Sequence, residues 1–368
     1  MTKKILIMSA SIGTGHTQAA RAIEEYMGKN CIDYDVEHVD FISNDVLSID
    51  NLVKETYIKI LDLFPLVYDL MYYSSQGYKK GMIVKTLFAW GLKRRMSRIL
   101  EEKRPDIIVC THPFPAGAAS LLKRQKKTTV PVVGVITDFA IHSLWIYPQI
   151  DKYFVAAPHL KNLLVDQGVA AHKVFVSGIP VRTAFTEEHW SVKAAEAGHR
   201  NVLLMGGGLG MGSIKDSLLL LDRLDCIDSF SVVTGHNADL FDDLSQLQKD
   251  LKHDVKIFGY TNQVAALMAQ ASLLVTKPGA LTCTEAAAVG VPSVFYSPIP
   301  GQVKSQNRLV EAVADLLQHT ERLGHMSQAC RFCRRDGAEV VSRGVLQMLE
   351  ERKQKIYYPS GMTPESIS

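Results

Sequence analysis

The sequence has few of the features that mark secreted, membrane-spanning or metal-binding proteins. Its six cysteines follow no framework spacing, which argues against a disulfide-stapled domain and favours reduced thiols. Cys330 and Cys333 form one CxxC without a second pair, which is too little for a structural zinc site. No apolar run reaches the roughly 18 residues that span a bilayer. No signal-peptide pattern follows Lys3 and Lys4, so we expect a cytoplasmic protein.

Acidic residues are absent between positions 78 and 100, although the formal net charge of the chain is only +3. Lysines and arginines alternate with apolar and aromatic residues in this segment. A basic helix with an aromatic and apolar face is typical of binding to an anionic membrane surface. The alternative is a solvated helix that packs its apolar stripe on the domain core. No nucleic-acid-binding module occurs, so nucleic acid is not expected as a partner. The candidate membrane-binding residues are Lys79, Lys80, Trp90, Arg94 and Arg95.

Short buried strands alternate with helical patterns along the chain, which is typical of α/β domains with parallel sheets. A polar stretch at 186–200 separates two such series and predicts a linker. We therefore predict a first domain at 1–185, a second domain at 201–352 and a tail at 353–368. The predicted strands are 4–8, 107–110, 130–136, 152–156 and 174–176 in the first domain, and 202–205, 231–234, 255–258, 273–275 and 293–296 in the second.

A glycine turn follows the first strand and leads into a helical pattern at 18–27. Gly13 and Gly15 allow the backbone to approach a ligand closely. His16 lies at the start of the helix, whose positive end disfavours an imidazolium and keeps the ring available as a base. The spacing is not GxGxxG, so a dinucleotide site is not indicated. Two interpretations remain, in which His16 is a base for a bound polar ligand or only caps the helix.

A second glycine loop opens the second domain. Five glycines occur among residues 206–212, directly after a strand. Because each glycine weakens local structure, such a loop is typical of places where a ligand must come close to the backbone. We therefore predict that this loop binds a phosphate-bearing ligand, with Gly207, Gly208 and Gly210 as candidate contacts.

A third turn, at Lys277, Pro278 and Gly279, precedes a helix that is predicted to start near Leu281. The N-terminus of that helix can hold a diphosphate. Glu285 lies about one turn into the helix, where a carboxylate can accept both hydroxyls of a ribose. The alternative is that Glu285 only favours the helix dipole.

Taken in order, these motifs resemble the monogalactosyldiacylglycerol synthase and processive diacylglycerol glucosyltransferase family, a relative of the muramyl-pentapeptide N-acetylglucosaminyltransferase. The resemblance covers most of the chain. The motifs that carry it are Gly15-His16, the loop at 206–212, Lys277-Pro278-Gly279, Glu285-Ala286, Gly290-Val291-Pro292, the segment 298–302, Thr137-Asp138-Phe139 with His142 and Trp145, Asp151-Lys152-Tyr153 and the segment 177–181.

The resemblance implies a GT-B fold, in which two Rossmann-like α/β domains with parallel sheets face a central cleft. It implies a UDP-glucose or UDP-galactose donor on the second domain and a diacylglycerol acceptor on the first. The enzyme would work by inversion, without a metal or other cofactor, as a peripheral protein on the anionic inner face of the cell membrane. His16 would be its catalytic base.

The resemblance also implies roles for other residues. The donor diphosphate would contact the glycine loop and the turn before Glu285, and Glu285 would hold the ribose. Phe258 and Tyr260 would lie near the uracil, and Gln302 would contact sugar hydroxyls. The acceptor side would contain Gly13, Gly15, Asp138, His142 and Trp145.

The sequence departs from the family pattern near the expected sugar site. Val303 and Gln306 stand where Glu and Asn are usual, and after Asn307 the chain reaches a helix without the strand and turn that normally precede it. These departures leave open a UDP-sugar-binding protein with weakened catalysis. A third interpretation is another GT-B enzyme, such as a nucleotide-sugar 2-epimerase, for which the basic segment would have no use.

Overall fold

The computed structural model describes residues 2–11, 13–42, 92–187, 198–210, 212–296, 303–330 and 335–357. The chain divides into two compact units, each built around one parallel sheet. Unit 1 comprises residues 1–12, 23–177 and 339–368, and unit 2 comprises 13–22 and 178–338. The prediction of two α/β domains with parallel sheets is confirmed.

Unit 1 contains a six-stranded parallel sheet with the order β2-β1-β3-β4-β5-β6. Strands β3 and β4 and residues 5–9 of β1 are buried and almost entirely apolar, as expected of a parallel sheet that is covered on both faces. The strands are β1 (Lys3–Ser9), β2 (Tyr34–Asp40), β3 (Ile107–Cys110), β4 (Val132–Val135), β5 (Lys152–Val155) and β6 (Val174–Val176). The helices are α1 (Thr14–Asn30), which both units share, α2 (residues 92–103), α3 (Pro113–Arg124) and α4 (Pro158–Asp166).

Unit 2 contains a five-stranded parallel sheet, in the order β11-β10-β7-β8-β9. Its strands are β7 (Asn201–Met205), β8 (Ser229–Val233), β9 (Asp254–Phe258), β10 (Leu273–Thr276) and β11 (Ser293–Phe295). Its helices are α5 (Ile214–Leu221), α6 (Ala238–Leu247), α7 (Val264–Gln270), α8 (Ala280–Val289), α9 (Val303–Gln318) and α10 (Thr320–Cys330). The last helix, α11 (Gly337–Tyr357), passes back to unit 1.

The structure differs from the predicted domain boundaries at three places. From Glu339 onward α11 packs in unit 1, where the Lys152 ammonium donates to the carbonyl of Gly344 at 3.4 Å, so the second domain does not extend to residue 352. Unit 2 begins at Gly178, ahead of the predicted linker, of which residues 188–197 lie outside the described part of the chain. The predicted tail also began too early, because α11 continues to Tyr357.

The departure from the family pattern after Asn307 falls within α9, the helix that follows the edge strand β11 of the second sheet. The chain leaves the edge strand β11 at Phe295 and enters α9 at Val303. Phe295 is 48% exposed. An apolar side chain is therefore open to solvent at this edge.

Candidate active site

Four loops of unit 2 leave the carboxyl ends of neighbouring strands, which is where open parallel sheets bind their ligands. They follow β7, β10, β8 and β9. All the described donor-side residues predicted from the sequence lie in these loops, at the last residue of β9 or in α8. Adjacent strands thus bring together residues that are up to 78 positions apart, from Gly207 to Glu285.

The glycines after β7 serve two different purposes. A Cβ at Gly210 would lie 2.0 Å from the carbonyl oxygen of Thr234, and a Cβ at Gly235 would lie 2.4 Å from that of Gly208. The backbones of the two loops therefore pack directly on each other. The amide of His236 donates to the Gly208 carbonyl at 2.9 Å and strengthens this packing. The prediction attributed these glycines to a ligand, but at Gly210 the close neighbour is the other loop.

Gly207 differs because its close neighbour is a cation. It has a positive φ of 70°, and a Cβ there would lie 3.1 Å from Cε of Lys277. Burial lowers the pKa of Lys277, and no carboxylate acts on it within the described chain. The half-buried ammonium is thus held beside the glycine loop, where an anion would compensate its charge.

The turn at Pro278 and Gly279 leads into α8 without a side-chain cap. The first amides of the helix are therefore available to an anionic group, with the positive end of the helix dipole behind them. Further along α8, Glu285 is only 7% exposed. Burial raises the pKa of Glu285 to about 8, and the nearby positive charge of Arg182 opposes this rise.

Tyr260 forms a ring pair with His236 just beyond the carboxyl ends of β9 and β8. The ring centroids lie 4.2 Å apart and the planes differ by 16°, so the rings are stacked. Tyr260 is 46% exposed and His236 is also exposed, whereas Phe258 is half-buried. An aromatic surface is therefore open to a planar group at this position.

His16 belongs to the same unit as these loops, because residues 13–22 cluster with 178–338. It lies in the first turn of α1, which starts at Thr14, four residues earlier than predicted.

A Cβ at Gly208 would lie 2.4 Å from Cγ2 of Thr14, so Thr14 packs on the glycine loop. A Cβ at Gly15 would lie 3.7 Å from Cβ of Leu281 in α8. Within unit 2, the turn that carries His16 thus contacts the candidate donor loops. Gly13 precedes this turn with a φ of 81°.

The acceptor-side candidates Asp138 and His142 are half-buried in the loop after β4 of unit 1. The prediction for Trp145 was wrong, because its side chain is fully buried in the hydrophobic core of unit 1. The Trp145 carbonyl accepts a hydrogen bond from the hydroxyl of buried Tyr153 at 2.8 Å. Trp145 therefore supports the loop from inside and offers no surface to a substrate.

The membrane-binding candidates fall into three groups. Arg94 is exposed on α2. Arg95 does not fit the prediction of a membrane contact. Its guanidinium lies 5.6 Å from the ring centroid of fully buried Phe41, and its Nε is buried. Lys79, Lys80 and Trp90 lie outside the described residues, as does the donor-side candidate Gln302.

Sequence reasoning missed His236, Asn237 and Arg182. The side chain of Asn237 donates to the Gly210 carbonyl at 3.3 Å and accepts from the amide of Leu240 at 3.0 Å, which joins the glycine loop to α6. Gly235, two residues after β8, followed by Asn237 at a helix N-cap, was the available signal. Arg182 carried no local signal, since only the fold brings it to Glu285.

Two family models match successive parts of the chain. The model of monogalactosyldiacylglycerol (MGDG) synthase matches residues 16–181, and that of the glycosyltransferase family 28 C-terminal domain matches residues 201–307. A processive diacylglycerol beta-glucosyltransferase of Bacillus cereus is 34% identical over 308 residues, which are 81% of this chain and 77% of the relative.

Solved structures support the fold. MurG of Acinetobacter baumannii has a TM-score of 0.55 at 16% identity, over 95% of this chain and 99% of that one. The UDP-GlcNAc 2-epimerase of Neisseria meningitidis, bound to UDP-GlcNAc, has a TM-score of 0.56 at 17% identity, over 94% and 100%. Among the described residues, no helix combines the length and apolarity needed to cross a bilayer.

Both the ordered motifs and the sequence relatives therefore identify a GT-B glycosyltransferase: the chain belongs to the monogalactosyldiacylglycerol synthase and processive diacylglycerol glucosyltransferase family, within glycosyltransferase family 28.

Proposed function

We propose that the protein transfers a hexose from a UDP-sugar to the free hydroxyl of diacylglycerol at the inner face of the cell membrane. One observation carries the proposal: the Lys277 ammonium lies beside Gly207 in the unit that also contains Glu285 and His16. A cation, a glycine loop and a buried carboxylate suit a nucleoside diphosphate, and the neighbouring histidine suits proton transfer. The family relationship and the UDP-GlcNAc named for the epimerase of the same fold support this choice of donor.

The donor would be held in three parts. Its diphosphate would lie between Lys277 and the uncapped N-terminus of α8, with Gly207 and Gly208 allowing close approach. Its ribose hydroxyls would donate to Glu285. Its uracil would stack on the ring pair of Tyr260 and His236.

In the transfer step, His16 would take the proton from the diacylglycerol hydroxyl as its oxygen attacks the anomeric carbon. The bond from that carbon to the diphosphate oxygen would break on the opposite face, so the configuration would invert. The electron pair would leave with UDP, whose added negative charge Lys277 and the helix amides would stabilise. The acceptor oxygen would thus gain the hexose while His16 retains the proton.

We propose UDP-glucose as the donor, because the relative at 34% identity is named a glucosyltransferase. UDP-galactose is the alternative, because the matching family model is named for a galactolipid synthase. The two sugars differ at one hydroxyl, and one residue expected to contact the sugar, Gln302, lies outside the described chain. Supplying both donors with different radiolabels in one reaction measures the preference directly.

Membrane binding is proposed to use the basic segment at 79–94. Anionic vesicles should float the wild-type protein, and replacing Lys79, Lys80 and Arg94 together by Glu should abolish flotation. In the matched control, three exposed lysines elsewhere in the protein, Lys127, Lys249 and Lys256, are replaced by Glu. Equal flotation of the two variants would contradict this part of the proposal.

We also propose that diphosphate binding needs no metal ion, since Lys277 and the α8 amides supply positive charge. Transfer should then survive an excess of EDTA and show no dependence on added Mg²⁺. Loss of transfer in EDTA, restored by Mg²⁺, would contradict this.

The deciding experiment is hexose transfer from the two labelled donors to diacylglycerol in anionic vesicles, together with UDP binding on the same preparation. A lipid-linked hexose with inverted configuration is the expected product. UDP binding without product would favour the weakened-catalysis interpretation, and epimerised UDP-sugar without lipid product would favour an epimerase. The structure named for an epimerase shares only 17% identity with this chain, which supports the common fold and not the epimerase activity.

A further inference from the structure

The loop at 136–151 connects β4 to β5 in unit 1. It begins at the carboxyl end of β4, and open parallel sheets bind their ligands at this end of their strands. The first part of the loop contains Asp138, Phe139 and His142. Phe139 is 50% exposed, whereas Asp138 and His142 are half-buried. Two polar side chains and an exposed aromatic ring thus lie within five residues at the ligand-binding end of the sheet.

Contacts with buried neighbours fix the second part of this loop. The Tyr153 hydroxyl donates to the Trp145 carbonyl at 2.8 Å and accepts from the Tyr147 amide at 3.0 Å. The Trp145 amide in turn donates to the His142 carbonyl at 3.0 Å. A Cβ at Gly117 of α3 would lie 2.4 Å from the hydroxyl oxygen of Tyr147, so Tyr147 packs directly on that helix. From His142 onward the path of the loop is therefore set by the core of unit 1.

The apolar side chains of the loop differ in where they lie. Ile141 and Ile146 are partly buried and pack against the hydrophobic core of unit 1, whereas Phe139 is exposed. One exposed apolar side chain needs no explanation by itself. Phe139 is distinguished by its position at the ligand-binding end of the sheet, between buried Thr137 and the fixed part of the loop that starts at His142.

Phe175 is another exposed aromatic residue of unit 1, and it has partners within the fold. It is 40% exposed on the edge strand β6. The Lys152 ammonium lies 4.6 Å from its ring centroid, and the ring centroid of Phe154 lies 5.9 Å away. In the part of the chain that the structure describes, no ring or cation contacts Phe139 in this way. Half of the Phe139 surface is therefore available to an apolar group from outside the chain.

The loop lies in the range whose family model is named for a lipid product. The model of monogalactosyldiacylglycerol synthase covers residues 16–181, whereas the model at 201–307 names no lipid. Contacts that recognise diacylglycerol are therefore expected in the first range. Diacylglycerol has one free hydroxyl and two long acyl chains, so a site that recognises it needs apolar surface as well as a few polar groups.

We propose that Phe139 is a specificity-determining residue that packs against an acyl chain of the diacylglycerol acceptor. The inference rests on the proposed function and adds to it a residue that recognises the apolar part of the acceptor. For the free hydroxyl to reach the sugar donor, part of the acyl chains has to leave the bilayer. A ring on a loop that is already held in place covers such a segment at little entropic cost and keeps its methylene groups out of water.

The test is a competition between two acceptors in the same anionic vesicles, with full-length protein and labelled UDP-glucose and UDP-galactose. One acceptor is 1,2-dioleoylglycerol. The other keeps one oleoyl chain as its anchor, and is 1-oleoyl-2-acetylglycerol in one series and 1-acetyl-2-oleoylglycerol in a second series. The measured quantity is the ratio of the two labelled lipid products. Because both acceptors share one vesicle, this ratio does not depend on how much protein is bound to the membrane.

Phe139→Ser should shift the product ratio away from the dioleoyl acceptor by roughly fourfold or more in at least one series. A single methylene group that loses its apolar cover already accounts for a factor of about that size. Phe139→Leu keeps an apolar side chain, so its product ratio should stay close to that of the wild type. Phe175→Ser is the matched control and should leave the ratio unchanged. Phe139→Gln is a second polar variant in case the first does not fold, and UDP affinity should equal that of the wild type in all four proteins.

The inference is overturned by an unchanged product ratio in both series with a Phe139→Ser protein that still binds UDP. If total transfer and vesicle flotation fell while the ratio stayed the same, Phe139 would be a membrane contact and not an acceptor contact. An equal shift of the ratio in Phe175→Ser would also overturn the inference, because it would show a general disturbance of unit 1. If the wild type formed no glycolipid from any of the three acceptors, the proposed function itself would fail.

Discussion

The Lys277 side chain lies against the α-carbon of Gly207, so that a methyl group at Gly207 would come within 3.1 Å of its Cε. This contact links the loop after β7 to the turn after β10, the strand that pairs with β7 in the sheet. Among the residues that the structure describes, no carboxylate pairs with this ammonium at the point where the two loops meet. The predictions below start from this arrangement.

Lys277→Met should weaken UDP binding at least about tenfold, because a charge-assisted contact to a phosphate is lost. Uridine has no phosphate, so its affinity should remain unchanged. Isothermal titration with both ligands checks this, and Lys249→Met, at an exposed lysine, serves as the control. An equal loss for uridine would show that Lys277 supports the loop and does not contact the diphosphate.

His16→Ala should lower the rate of hexose transfer by at least about a hundredfold, while the affinity for UDP changes little, as expected of a general base. The matched control is His172→Ala, since His172 is exposed on a short turn of unit 1. The measurement compares the initial rates of hexose transfer of the variants and the wild type at saturating donor. A His16→Ala enzyme that keeps the wild-type rate would leave His16 only a role in the helix turn.

Tyr260→Ala should weaken uridine as well as UDP by roughly two- to tenfold, because stacking contributes about 0.5–1.5 kcal/mol. Tyr260→Phe retains the ring and should bind like the wild type. Phe295→Ala, at an exposed aromatic on the opposite edge of the sheet, is the control. Wild-type uridine affinity in Tyr260→Ala would contradict a uracil site on this ring pair.

Gly235→Ala should destabilise unit 2 by about 2 kcal/mol or more, because its φ is 61° and the new Cβ would lie 2.4 Å from the Gly208 carbonyl oxygen. Gly28→Ala should instead be neutral or stabilise by up to about 1 kcal/mol, because Gly28 is helical with open space around it. Urea unfolding of both variants gives the comparison. A Gly235→Ala protein as stable as the wild type would disprove the tight loop packing.

Much of the fold was predictable because parallel strands leave a simple signal. Segments such as 107–110 and 174–176 are short, apolar and separated by helical patterns, and the structure has both strands at these residues. The path of α11 was not predictable, since no local feature of residues 337–357 specifies which sheet they cover. That choice is made by tertiary contacts such as that between Lys152 and Gly344.

The site shows the same division between local and tertiary information. The glycine loop after β7 and the turn at Lys277 have local sequence signals, and the structure places both at the carboxyl ends of neighbouring strands. Trp145 was misassigned because an aromatic residue in a motif can equally fill the core, and here it does. The stacking of His236 on Tyr260 and the effect of Arg182 on Glu285 depend on the fold, which no spacing in the sequence reveals.

The measurement that tests the central claim most directly is the diacylglycerol dependence of label transfer from UDP-[¹⁴C]glucose to the lipid fraction. Purified protein is incubated with anionic vesicles that either contain or lack diacylglycerol. We predict labelled glycolipid only with diacylglycerol present, and almost none with His16→Ala. If label stayed in the aqueous phase with wild-type protein, for UDP-galactose as well as UDP-glucose, the protein would not be the glycolipid-forming transferase proposed here.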